Sequence, residues 1–180
     1  MSGKAKFTKE DELLLQDFSS SISTKNSIIF YIISLLASLA PLYLFYAIHQ
    51  MEIADSWFIW AAASIGTTYI LAQAYKNVKH VTKHDVVRKR GEAISRDVNK
   101  QLADDKNMSK KEKDERALWR KNEVADAEAN HFTVFYNNVI FYVAFIFISF
   151  FLLQNANPAF NCLGSMYGAA GVAYLFSTSK

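Results

Sequence analysis

The sequence predicts an all-α polytopic membrane protein with four transmembrane helices and a cytosolic antiparallel helical hairpin between the second and third. Three observations predict it. Four long apolar runs carry no Asp, Glu, Lys or Arg. All 20 Lys and Arg lie outside those runs, in residues 1–26, 76–121 and at Lys180. The charged segment between the second and third runs contains no proline, the chain's two prolines being Pro41 and Pro158. A soluble domain of 180 residues would mix charge and apolarity at helical or strand period. Here they are segregated, and the mean hydropathy of +0.02 averages two extremes.

Residues 1–26 read as a cytosolic tail. Thr8, Lys9, Glu10 and Asp11 form a capping-box pattern ahead of Leu13, Leu14, Leu15, Phe18 and Ile22. This predicts a short amphipathic helix that lies on the membrane surface or on a partner. Its polar face is acidic, unlike a lipid-binding basic helix.

The spans are residues 27–48, 57–75, 132–153 and 160–176. Twenty-two helical residues rise roughly 33 Å, enough for a hydrocarbon core of about 30 Å. The fourth run rises only about 26 Å, which suits the thinner endoplasmic-reticulum bilayer. Spanning segments must satisfy every backbone amide internally, and these runs are too long and uniformly apolar for barrel strands. The first run is longer than a signal-peptide core and no clear cleavage site follows it, so it reads as a retained anchor. Trp57, Trp60 and Tyr75 read as interface anchors.

Orientation follows from the cations. Loops 49–56 and 154–159 have no Lys or Arg, whereas the tail has four, residues 76–131 have fifteen and the C-terminal residues 177–180 have one. The positive-inside rule places both ends and residues 76–131 in the cytosol and the two short loops in the lumen or outside the cell. The sequon Asn107-Met108-Ser109 is therefore expected to stay unmodified.

Within residues 76–131, the second span can continue as one rod to about Leu102. Asp104-Asp105-Lys106-Asn107 is a turn signal. Ser109-Lys110-Lys111-Glu112 is a second capping box that restarts a helix through Trp119 into the third span. Each arm would project about 35–40 Å if fully helical. Val87, Ile94, Val98 and Leu102 on one arm face Leu118, Val124 and Ala125 on the other in a sparse seam. Lys106, Lys110, Lys111, Lys113, Arg116, Arg120 and Lys121 gather toward the tip, and Glu123, Asp126 and Glu128 lie nearer the membrane. A basic tip suits RNA phosphate or an acidic protein surface. A solvated helix laced with pairs such as Glu112–Arg116 accounts for the same residues.

No catalytic constellation is legible. His80 and His84 have metal-ligand spacing, but Lys79 and Lys83 flank them and no metalloprotease Glu lies between them, so no metal or other cofactor is expected. Cys162, the single cysteine, reads as a small packing residue. Spans without ionisable side chains argue against a pump or an ion-coupled carrier. Gly164-x-x-x-Gly168 lets a helix approach closely, either inside this chain or from another subunit.

The chain resembles the gamma-subunit family of the translocon-associated protein complex, also called the signal-sequence-receptor gamma subunit. The residues that carry the resemblance are Glu12 to Phe18 (ELLLQDF), Ala74 to Lys79 (AYKNVK), Met108 to Arg116 (MSKKEKDER), Lys121 to Asp126 (KNEVAD), and Phe135 to Asn138 (FYNN). Ser177 to Lys180 approximates the family's ending, and residues 1–9 depart from it. The resemblance implies a non-catalytic endoplasmic-reticulum membrane subunit that supports co-translational translocation. The partners it implies are the other subunits of the complex, the protein-conducting channel, the large ribosomal subunit and membrane lipid. Carried onto this sequence, it makes Lys110, Lys111, Lys113 and Arg116 the expected ribosome-facing residues. A membrane-shaping hairpin protein and a small passive channel are the alternative readings.

Overall fold

The computed structural model describes residues 24–101 and 110–179, and every regular element among them is helical. The expected tail helix at Thr8–Ile22, the turn at Asp104–Asn107 and the sequon lie outside the described residues. Helix α1 spans Thr24–Ala47, α2 Ile53–Gln101, α3 Lys110–Phe147 and α4 Pro158–Thr178. A π-helical turn, Ile148–Leu152, follows α3 directly. Two stretches are long and apolar enough to cross a membrane, Ser27–Ala47 and one within Glu112–Leu152.

The chain divides into two units. The first comprises the described parts of Ile22–Val78 and Thr133–Lys180. It buries an apolar core that includes Phe45, Leu71 and Phe141, but it also buries polar side chains and exposes large apolar ones. Thr67, Asn137, Ser165 and Asn161 are fully buried, while Phe135 is 71% and Ile65 69% exposed. Large apolar residues face outward from all four helices, including Leu36 and Tyr43 on α1, Phe58 on α2, Val143 on α3 and Leu175 on α4. Water would penalise each by roughly 1.5–3 kcal/mol relative to burial, whereas hydrocarbon does not.

Hydrogen bonds join these helices alongside their apolar packing. Ser38 and Thr68 hydroxyls meet at 3.2 Å between α1 and α2. The Tyr75 hydroxyl donates to Asn138 Oδ1 between α2 and α3. The Tyr167 hydroxyl donates to the Ala62 carbonyl at 2.7 Å between α4 and α2. That bond needs Gly66, because a Cβ there would lie 2.5 Å from Tyr167 Cε1. Pro41, inside α1, leaves the Ala37 carbonyl without its helical donor, and the Tyr142 hydroxyl of α3 donates to that oxygen at 3.1 Å.

The corner between α3 and α4 is built the same way. The π-turn disturbs the helical ladder, and the Asn161 side-chain amide donates to both the Ser149 and Leu153 carbonyls at 3.1 Å. Asn157 caps α4 by accepting from the Ala159 amide at 2.9 Å, with Pro158 in the first turn. The α1–α2 connection turns at Gln50, a non-glycine residue at φ 52°.

The second unit, among the described residues, is Lys79–Phe132. Asp126 pairs with Lys79 and Lys83, Lys121 carbons approach Gly91, and Ala117 packs with Val98 and Ile94. Residue numbers rise along one segment as they fall along the other, so the two run in opposite directions. Of the residues expected in the seam, Leu102 lies outside the described residues. On α3, Ala117, Ala125 and Ala129 are buried, whereas Leu118 and Val124 are only partly so. Alanines let the two backbones approach with little side chain between them.

Candidate functional site

The Lys79–Phe132 unit carries most of the described charge, and its ion pairs sort that charge into two classes. Asp126 Oδ1 lies 3.1 Å from Lys83 Nζ and 3.6 Å from Lys79 Nζ, with both lysines largely buried. Burial pushes the Lys79 amine below its ordinary value; the Asp126 charge opposes the shift and Lys83 adds to it. Arg88 pairs with Asp85, Arg90 with Glu128, Arg96 with Glu92 and Arg120 with Glu123. These cations are neutralised locally. Most of the pairs are exposed and contribute little to stability.

The second class is unpaired. Among the described residues, Lys89, Lys100, Lys113 and Arg116 have no ion-pair partner. The expected Glu112–Arg116 pair does not form. Arg116 is exposed and Lys113 half-buried. Lys110 and Lys111 are the first two residues of α3. At about 100° per residue, Lys113 and Arg116 lie about 60° apart around the helix. The four residues singled out in the sequence therefore share one end of α3.

His80 and His84 stack edge to face with ring centroids 4.8 Å apart. The His84 imidazole is held below its ordinary value, chiefly by burial, then by His80 and Lys83, with Asp85 opposing. Among the described residues no group of three His, Cys, Asp or Glu side chains is placed to hold a metal. A Cβ at Gly164 would lie 3.0 Å from Leu153 Cδ1, and one at Gly168 3.1 Å from Ile148 Cδ1, so both glycines face the end of α3 and its π-turn. Cys162 is buried.

Two features are not legible as functional in the sequence. Trp119 is 62% exposed in a charged helix, and Gly66 makes the tightest approach of the described glycines. The first has a signal, an aromatic residue among charges; the second is a lone glycine with no spacing motif.

The family model described as "Translocon-associated protein, gamma subunit (TRAP-gamma)" matches residues 10–179. The chain belongs to the TRAP-gamma family. A relative from Dictyostelium discoideum, the translocon-associated protein subunit gamma, is 28% identical over 170 residues, covering 94% of this chain and 96% of its own. TRAP-gamma is a translocon accessory subunit family and not a known enzyme family.

Proposed function

We propose that the chain is a non-catalytic subunit of the translocon-associated protein complex in the endoplasmic-reticulum membrane. It crosses the bilayer four times with both ends in the cytosol, and it docks on the translating ribosome through the Lys79–Phe132 hairpin to support co-translational translocation. Its partners are the other subunits of the complex, the protein-conducting channel, the large ribosomal subunit and membrane lipid. The observation that carries the docking reading is the set of unpaired cations, Lys113 and Arg116 with Lys89 and Lys100, in a unit where six other cations are held in ion pairs. Unpaired cations are free to replace counterions at phosphate, and neutralised ones are not. The apolar outer faces of all four helices support four spans.

Lys110, Lys111, Lys113 and Arg116 are the phosphate-facing residues of this reading. Changing all four to Glu is expected to weaken co-sedimentation with ribosomes by about tenfold or more and to flatten its dependence on salt. Thermal unfolding of the membrane unit in detergent should not change. Undiminished co-sedimentation at low and moderate salt would remove these residues from the interface.

A further inference from the structure

Lys76 follows the apolar run of α2, and its charge has no counterpart in its own unit. Among the described residues it makes no ion pair, and the unit's only carboxylate side chains there are Glu52 and Asp55. Asp55 lies near the other end of the run, about 32 Å away along α2. The Lys76 side chain is held in place all the same. Its Nζ lies 5.0 Å from the centroid of the Tyr31 ring on α1. A ring face orients an ammonium group without neutralising it.

The helical register puts this cation at the head of an apolar groove. Phe30 meets Tyr75 and Ser38 meets Thr68, so α1 and α2 run antiparallel. At about 100° per residue, Leu35 and Leu39 lie about 60° and 100° around α1 from Ser38. Ile65, Lys76 and Tyr69 lie about 60°, 80° and 100° around α2 from Thr68, with the same sign. In an antiparallel pair, turns of one sign from facing residues fall on one side. Leu35, Leu39, Ile65 and Tyr69 are all exposed there. Phe30 and Ala37 on α1, and Thr67 and Leu71 on α2, turn the other way and are buried. From Lys76 to Ile65 the groove runs about 16 Å, close to half of a hydrocarbon core of about 30 Å.

We propose that this groove seats an anionic glycerophospholipid of the cytosolic leaflet, with its headgroup phosphate on Lys76 and an acyl chain along Leu35, Leu39, Ile65 and Tyr69. The inference rests on the four-crossing reading above, which puts this end of α1 and α2 at the cytosolic face. It gives the lipid partner a chemical class and a place. Helices that associate in a bilayer meet through small residues and interhelical hydrogen bonds, whereas this groove offers bulky side chains. Its charged group is a cation, and one lysine at the membrane surface favours anionic over neutral lipid about fivefold.

The test uses the full-length protein in endoplasmic-reticulum microsomes supplied with phosphatidylserine that carries a diazirine midway along one acyl chain. Irradiation should place the lipid on Leu35, Leu39, Ile65 or Tyr69, read by peptide mass spectrometry. Labelling should exceed that by phosphatidylcholine with the same group about fivefold. Lys76→Gln should abolish the preference and Lys76→Arg should keep it. Excess water-soluble glycerophosphoserine should not compete. Competition by it would make the site one for free phosphate esters and overturn the lipid assignment. Equal labelling by the two lipids, a preference that survives Lys76→Gln, or label confined to other faces also overturns it. So does a protein adduct from p-benzoylphenylalanine in place of Ile65, which would make the groove a subunit interface. Impermeant-maleimide labelling of single cysteines in place of Lys100 and Gln154 separates the two failures. Outside access at position 100 alone, without a lipid preference, removes this site and leaves four crossings. Outside access at position 154 alone removes the crossings beneath it.

Discussion

Pro41 has no amide proton, so the Ala37 carbonyl four residues earlier loses its bond inside α1. In hydrocarbon no water can replace that donor. The Tyr142 hydroxyl does so from α3, across 105 residues of sequence. Tyr142→Phe is therefore expected to destabilise the protein by about 1 kcal/mol. The loss should nearly vanish in a Pro41→Ala background, where the substituted residue supplies the missing amide. Thermal unfolding of the four proteins in detergent closes this cycle, and equal losses in both backgrounds would show that the hydroxyl serves something else. The proline was plain in the sequence. Its partner was not, because a tyrosine in an apolar run reads equally well as an interface anchor, and only the packing shows which carbonyl it meets. His84 is the second residue with a measurable signature. Burial, His80 and Lys83 hold it below its ordinary 6.5. NMR of histidine-labelled protein should find it titrating below 6.5, and His80→Ala should move it upward. Because the folded value is the lower one, charging His84 opposes folding. The resulting loss of stability begins as pH falls through 6.5 and is complete below the folded value.

At the scale of elements, helix identity was legible and helix contact was not. The long apolar runs and the described residues of the proline-free charged segment are helical, in keeping with their composition. Helix bounds and apolar-run bounds need not coincide. α4 begins at Pro158, because Asn157 caps it and a proline costs nothing in a first turn, whereas a hydropathy-defined run begins only at Phe160. The glycines show the same limit. Gly164 and Gly168 stand out by their spacing, yet the closest approach among the described glycines is at Gly66, where a phenol ring lies across α2. Gly66→Ala is expected to cost about 1–3 kcal/mol, because the Tyr167 ring must leave and its bond to Ala62 with it. Gly171→Ala, with no atom within 4 Å of the new Cβ, should be neutral or slightly stabilising. Detergent melting curves distinguish the two. A Gly66→Ala protein as stable as its parent would mean that the Tyr167 ring has another place to lie. For the candidate site, the basic end of α3 was readable from composition. Which cations are already neutralised was not, since Arg90 reaches Glu128 and Lys83 reaches Asp126 only through the packing of two distant segments.

For the whole molecule the open quantity is the number of crossings, and it can be decided because the alternatives place the same residues on opposite sides. The two most apolar stretches lie in α1 and α3. If they alone crossed, α1 would leave the cytosol and α3 would return to it. The fifteen Lys and Arg of residues 76–131 would then lie in the lumen, against the positive-inside rule, and Gln154 would lie in the cytosol. Four crossings reverse both placements. The less apolar helices α2 and α4 expose Phe58, Ile65, Phe160 and Leu175, which hydrocarbon accommodates and water penalises. Their interiors hold Thr67, Asn161 and Ser165, buried side chains that lower mean hydropathy. An average over the helix cannot separate its two faces. In a Cys162→Ala background, a single cysteine in place of Lys100 in sealed microsomes is therefore expected to react with an impermeant maleimide added outside. One in place of Gln154 should react only after the membrane is opened. Asn107 supplies an independent readout, because its sequon meets the glycosylation machinery only if residues 76–131 are lumenal. The expected result is one unshifted band on a gel, before and after glycosidase. A glycan on Asn107 together with outside labelling at position 154 would establish two crossings and move the charged hairpin away from the ribosome altogether.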